Sequence, residues 1–230
     1  MPSRPTVLLF DIDGTLVSTG GAGRRAIDRA FREHTGAEVT LDFSFAGMTD
    51  PAIVRRGLTS LGRPAPPEAI AAVLDAYLRA LEQEVATAPS FVVHEGVVDI
   101  LARAATWSRV ALGLGTGNIK GGAKVKLGRA SLFDRFSFGG FGCDAEDRAE
   151  LLAAGAARGA AHLSVSVTDC RVVIIGDTPK DIAAARAIGA ESIGVGTGPY
   201  SATDLKTAGA TWSFDTLTHP GALEALQGPD

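Results

Sequence analysis

The most regular feature of the chain is a run of apolar and β-branched residues, 6–10 (TVLLF), with no charged position, ending against Asp11. Runs at 109–117 (RVALGLGTG) and 171–178 (RVVIIGDT), and a shorter one at 192–198 (SIGVGTG), have the same form. Segments 136–142 (FSFGGFG) and 211–214 (TWSF) are weaker members. A half-solvated strand alternates apolar and polar positions. A continuous run marks a strand covered on both faces, as in a parallel sheet flanked by helices. Between the runs, apolar positions recur at helical spacing. Ala22, Ala26, Ile27, Ala30 and Phe31 share one face, and Ile70, Val73, Leu74, Tyr77, Leu78, Leu81 and Val85 form a long stripe opened by Pro66-Pro67. Further helices are expected over 97–105, 119–130, 149–157 and 182–188. The alternation predicts an α/β protein with a doubly wound, Rossmann-like parallel sheet of about five or six strands.

One interval breaks the rhythm. Between Asp11 and the next strong run at Arg109 the pattern holds at least three helices and almost no strand, far more chain than one strand-to-helix connection uses. Residues 18–92 are therefore expected to form an inserted helical subdomain, or cap. The core is then 1–17 plus 93–230. Turn-forming stretches at 18–23 (STGGAG) and 88–91 (APSF) are the expected hinges.

Composition narrows the function classes. With 230 residues and 46% hydrophobic content the chain can bury a sizeable core, and its formal charge of −4 argues against a nonspecific nucleic-acid binder. A small anionic ligand stays compatible, since a site can be locally positive inside an acidic protein. The two cysteines, Cys143 and Cys170, lack a metal-like spacing and read as reduced thiols of a cytoplasmic protein. The N-terminal apolar run is too short for a signal sequence or a membrane span, so no membrane association is expected. A monomer and a homodimer both fit the composition.

The chemistry concentrates at the ends of the apolar runs. Asp11 and Asp13 stand two positions apart, which in extended chain puts both carboxylates on one side at roughly 6.5–7 Å. At an effective dielectric near 20 they repel by about 2–2.5 kcal/mol. In a crevice at a strand end, that repulsion calls for a cation or a shared proton, and Mg²⁺ suits oxygen ligands and phosphate together. Segment 176–181 (GDTPKD) adds Asp177 and Asp181, and 115–118 (GTGN) adds Thr116 with the backbone N–H groups of Gly117 and Asn118. Acidic groups, a hydroxyl and helix N-termini gathered at one sheet edge describe a phosphate site.

These segments, DIDGTL, LGTGN and IGDTPKD in that order, resemble the motifs of the haloacid dehalogenase superfamily of phosphatases, and within it the phosphoglycolate-phosphatase and β-phosphoglucomutase group. The helical insertion resembles that superfamily's α-helical cap. The resemblance implies a Mg²⁺-dependent phosphomonoester hydrolase for a small phosphorylated metabolite. Asp11 is then the nucleophile forming an aspartyl-phosphate, and Asp13 the general acid and base whose backbone carbonyl also touches the metal. Thr116 and Gly117 hold phosphate oxygens, Asp177 binds Mg²⁺, and Asp181 binds it directly or through water. The family's third motif supplies a cation, often in Lys-Pro, which this chain lacks. Arg148 is the candidate, with Lys124 and Lys126 in reserve.

Several positions carry plainer readings too. Asp181 follows Thr178-Pro179 and suits a helix cap. Thr49 and Asp50, inside the insertion (47–54, GMTDPAIV), are specificity residues or the start of a helix at Pro51. His94 is a cleft-lining candidate at the junction. Two other functions stay open: a sugar phosphomutase, and a non-catalytic phosphate-binding or phospho-receiver protein.

Overall fold

The computed structural model describes residues 4–36 and 38–228. Its centre is β1 (Thr6–Phe10), whose five side chains are all buried. The chain then makes a two-residue strand β2 (Val17–Ser18) and the helices α1 (Ala22–Thr35), α2 (Asp50–Ser60) and α3 (Pro67–Thr87). It returns through β3 (Val92–Val93) and α4 (Val97–Ala104) to β4 (Val110–Thr116), α5 (Lys120–Gly128) and β5 (Phe138–Phe141). The remainder is α6 (Arg148–His162), β6 (Arg171–Gly176), α7 (Pro179–Ala187), β7 (Glu191–Val195), α8 (Ala202–Thr207), β8 (Trp212–Phe214) and α9 (Pro220–Gln227).

Six strands form one parallel sheet in the order β5-β4-β1-β6-β7-β8. The period of two along β1 splits its side chains between two cores. Leu8 and Phe10 pack with Leu112, Leu114, Val173 and Ile175 against α4, α5 and α9. Val7 and Leu9 pack with Ile174 against Leu151, Leu152 and Ala156 of α6 and Ala184 and Ala185 of α7. Each such fully buried Leu or Phe contributes roughly 1.5–3 kcal/mol, which explains why β1 carries no charged residue and why its one polar side chain, Thr6, is hydrogen-bonded to Arg4 O. The doubly wound fold expected from the apolar runs is the fold observed.

The chain builds the sheet outward from β1 to β5 and then crosses to β6. The reversal of strand order therefore falls between β1 and β6, where an open α/β sheet leaves a crevice beyond its carboxyl ends. Asp11 and Asp177 follow the ends of these two strands, and the Asp11 N–H donates to Ile175 O at 2.8 Å.

Helices α1, α2 and α3 have a core of their own, built on Phe31, Ile53, Leu58, Tyr77 and Leu81. Gly57 of α2 lies against the Phe31 ring where a Cβ would overlap it, so the helices meet closely. The chain enters and leaves this helical part through β2 and β3, which pair antiparallel, Val17 with Val93 and Ser18 with Val92. His94 sits at this junction, its ring nitrogen 3.0 Å from the Ser18 hydroxyl, and burial lowers its pKa. It is outside the lining of the cavity described below.

Candidate active site

Three carboxylates meet in the crevice. Ligand oxygens of Asp11, Asp177 and Asp181 lie within 4.8 Å of one another, and all three residues are buried. Burial raises the Asp11 pKa to about 6, with Asp181 and Asp13 adding to the rise and Arg148 opposing it. Burial, followed by Asp11 and Asp181, raises Asp177 to about 9. Gly14 and Gly198 flank Asp177 at positions where any Cβ would overlap its carboxylate, and the Thr15 hydroxyl donates to it at 3.3 Å.

Arg148 answers part of this charge. It opens α6, where Asp147 caps the helix by accepting the N–H groups of Ala149 and Glu150. Its Nη2 donates to Asp11 Oδ2 at 2.7 Å and its Nε to Asp181 Oδ1 at 2.7 Å. Burial opposes the charge on Arg148, but Asp11 and Asp181 outweigh it and hold the guanidinium's pKa above its ordinary value. Close packing aims this residue. On α6, Gly155 faces Gly140 of β5, and a Cβ on Gly155 would sit 2.8 Å from Gly140 N.

Asp181 also closes a capping box on α7. Its Oδ2 accepts from Thr178 N at 3.0 Å and from the Thr178 hydroxyl at 2.7 Å. With Arg148 on Oδ1, both its oxygens carry donors. The cap reading and the site reading thus describe one residue, and Asp11 and Asp177 keep the more available oxygens.

Asp13 lies apart from the three. Its Oδ2 accepts from Lys126 Nζ at 2.6 Å and from Asn118 Nδ2 at 2.9 Å, and Lys126 also donates to Asn118 Oδ1 at 2.6 Å. Lys126 is 4% exposed. Lys124, the other reserve cation, is exposed on the same helix and lines a different depression.

A cavity of about 470 Å³ opens over these groups. Its core side is lined by Asp11, Asp13, Gly117, Asn118, Lys126, Arg148 and Asp177. Its other side comes from the helical insertion: Arg24, Ile27, Phe45, Met48, Asp50, Ile53 and Tyr77. The insertion rests on the core at the β4–α5 loop, where Asp50 N donates to Gly117 O at 2.8 Å and Ile119 N donates to Asp50 Oδ2 at 2.8 Å. Burial, ahead of any neighbouring charge, raises Asp50 to about 6. Arg55 adds a bidentate pair with Glu146.

Three expected site residues are outside the lining of this cavity: Asp181, fully buried behind Arg148 and the α7 cap, and Thr49 and Thr116. Thr49 caps α2 by accepting from Ala52 N at 3.3 Å and donates its hydroxyl to Glu146 O at 3.2 Å. It is 2% exposed and faces the contact between insertion and core, so its neighbour Asp50 is the one that reaches the cavity. Thr116 is fully buried, and its Oγ1 accepts from Asn118 Nδ2 at 2.9 Å, beneath the loop rather than in the lining. Conversely, Tyr77, read from the α3 stripe as core alone, also lines the cavity. Burial, then Asp50 and Asp13, pushes its phenol well above the usual range.

Comparison with known proteins follows this geometry. Residues 151–219, from α6 to beyond β8, match the HAD-hydrolase-like family model. That segment holds Asp177 and Asp181 but stops short of Asp11, Asp13 and the insertion. No curated protein matches the sequence. Among solved structures, CbbY from Rhodobacter sphaeroides in complex with phosphate is 20% identical, covering 95% of this chain and 96% of its own, with a TM-score of 0.71. A β-phosphoglucomutase from Clostridium difficile is 18% identical, covering 94% and 93%, with a TM-score of 0.70. A predicted phosphoglycolate phosphatase from Haemophilus somnus is 14% identical, covering 94% and 96%, with a TM-score of 0.68. These structures share the fold of this chain over nearly its full length. The resemblance read from the sequence motifs is borne out in that fold and in the matched segment.

Proposed function

We propose that the protein is a Mg²⁺-dependent phosphomonoester hydrolase of small phosphorylated metabolites, working through an aspartyl-phosphate on Asp11. The observation that carries this reading is the buried trio Asp11, Asp177 and Asp181, in which burial and neighbouring carboxylates raise the pKa of Asp11 and Asp177 and Arg148 offsets that rise only in part. Oxygen ligands so crowded suit a hard divalent cation, and Asp11 and Asp177 would hold it with the backbone carbonyl of Asp13. When bound, Mg²⁺ supplies charge neutralisation for phosphate and carboxylates together.

The chain's own residues then have separate tasks. An Asp11 oxygen attacks phosphorus as the ester P–O bond breaks, and the leaving oxygen takes the proton of Asp13. Water then attacks phosphorus, gives its proton to Asp13, and the bond to Asp11 breaks, restoring both carboxyl groups. Arg148 balances charge on Asp11 and the phosphoryl group. Gly117 and Asn118 bring amide groups to the phosphoryl oxygens, and Thr116 acts one layer back by orienting Asn118. The insertion serves as a cap over 18–92, opening about the paired strands β2 and β3 to admit substrate and closing to exclude water.

The cap face, lined by Ile27, Phe45, Met48, Ile53 and Tyr77 with Arg24 and Asp50, suits a small phosphorylated metabolite. The test is turnover of a panel of phosphate monoesters with Mg²⁺ and with EDTA. Wild type is expected to release phosphate only with the metal, and Asp11→Asn to fall to background while staying folded. Full turnover by Asp11→Asn would reject the reading. A phosphomutase is the second reading, favoured by the likeness in fold to a β-phosphoglucomutase and by the cap's seat over the cavity. Conversion of a hexose 1-phosphate to its 6-phosphate without free phosphate would select it.

A further inference from the structure

Arg148 fills the place of the cation beside Asp11, which leaves Lys126 without a part in the reaction. Its surroundings do not suit a bystander. A lysine so deeply buried is costly unless its ammonium is fully engaged. Here Nζ reaches two groups, Asp13 Oδ2 and Asn118 Oδ1, each at 2.6 Å. Asn118 returns to the same carboxylate oxygen through Nδ2 at 2.9 Å and shares its amide with Thr116 Oγ1 at 2.9 Å. Lysine, asparagine and aspartate therefore close a ring of three hydrogen bonds. Both donors in that ring fall on one oxygen of Asp13. The side chain of Asp13 is 44% exposed and lines the cavity, so its other oxygen is the one open to a ligand.

We propose that Lys126 is a positioning residue for Asp13. With Asn118 it fastens Oδ2 and so fixes the carboxyl group in the orientation that presents Oδ1 to the oxygen of the departing alcohol. This rests on the reading of Asp13 as general acid. The proton moves only between Asp13 and the leaving oxygen, and Lys126 neither gives nor takes one. Apolar packing of α5 is carried by its neighbours Ala123 and Leu127, both fully buried, so the ammonium adds little to the core. A misplaced acid forfeits most of its effect, since proton transfer needs heavy atoms within hydrogen-bond reach.

The test separates positioning from folding through the leaving group. An alkyl phosphate needs a proton on its departing oxygen, whereas p-nitrophenyl phosphate releases an anion that is stable without one. Because kcat/KM reports events only up to loss of the leaving group, it isolates this step. Lys126→Met is expected to lower kcat/KM for the alkyl ester by about 30-fold or more, a part of the ~10²–10⁴-fold that general acids supply, and for p-nitrophenyl phosphate by less than about 3-fold. Asp13→Asn should lose at least as much on the alkyl ester, and adding the lysine change to it should cost nothing further there. Should Lys126→Met not fold, Lys126→Gln, which keeps a polar side chain but removes the charge, carries the same comparison. Equal losses on both esters, no loss on either, or additive losses in the double variant would each overturn the proposal. If wild type with Mg²⁺ hydrolyses neither ester, the reading of the site itself fails, a result distinct from any of these.

Discussion

Arg148 places one guanidinium, 8% exposed, between the carboxylates of Asp11 and Asp181. Taking it away leaves two buried negative charges beside Asp177 with no protein cation in contact. Breaking a buried pair by removing one partner costs about 3–5 kcal/mol, much more than an exposed pair contributes. Arg148→Met is therefore expected to lower stability at neutral pH by about that amount in EDTA, measured by urea unfolding, and to abolish turnover. An unchanged unfolding midpoint would show that the carboxylates do not need it. At this level the sequence was informative wherever chemistry sat next to a strand end. Asp11 and Asp177 were readable from local context, whereas Arg148 was named only as the candidate for the third-motif cation that the family resemblance implies. The pair Lys126–Asp13 was not, because the partners are 113 positions apart and nothing local marks the fifth-helix lysine as inward-facing. Thr49 and Asp50 presented the mirror problem. Both are adjacent to a helix start, and only the docked geometry shows that the acid, not the hydroxyl, reaches the cavity.

Helix α6 carries Arg148 and lies close to the sheet. Gly155 and Gly140 meet there without side chains, and a Cβ on Gly155 would also come within 3.2 Å of Leu9. Replacing Gly155 by alanine gains roughly 0.5–1 kcal/mol of helix propensity. It also overpacks a tight contact, which costs about 1–3 kcal/mol, so the net effect is expected to be destabilising. Because the shift moves the helix that carries Arg148, turnover should fall as well. Unfolding curves and a rate for Gly155→Ala check both, and a variant more stable than wild type would contradict the packing argument. The legibility of elements follows their length and periodicity. The strands β1, β4 and β6 and the stripe of α3 stand out because each is buried along its whole length or along one full face. Helix α2 was read only as a possible start at Pro51, and α8 and α9 were not read; α8, at six residues, gives the periodicity fewer than two turns to register. Strands β2 and β3 have two residues each and exist only because they pair with each other.

Across the molecule, the acidic crevice couples stability to pH and to metal. Asp11 and Asp177 have folded pKa values of about 6 and about 9, above the ordinary 3.8. The native state thus holds more protons than the unfolded chain between these limits, and stability declines as pH rises from about 4 towards 9. A divalent ion held by the ionised carboxylates reverses the disadvantage. Melting temperature in EDTA should therefore fall over this window, and the increment given by Mg²⁺ should grow with pH. A metal increment that shrinks as pH rises would contradict the assignment of these groups as ligands. Beyond the crevice, no helix among the described residues is long and apolar enough to cross a membrane. The helical insertion supplies one wall of the cavity and reaches the sheet through the two short strands, so the cavity exists only while both parts are together. That dependence was foreseeable from the long strand-free interval, whereas the seat of the insertion on Gly117 and Ile119 is a long-range contact that no local pattern encodes.

The central claim is that phosphorus passes through Asp11. Acid quenching of the Mg²⁺-loaded enzyme during turnover, followed by peptide mass analysis, tests it directly. The account predicts one phosphoryl group on the peptide containing Asp11, absent when substrate is omitted and absent from Asp11→Asn. An enzyme that releases phosphate at full rate while that peptide never carries the added mass would contradict it.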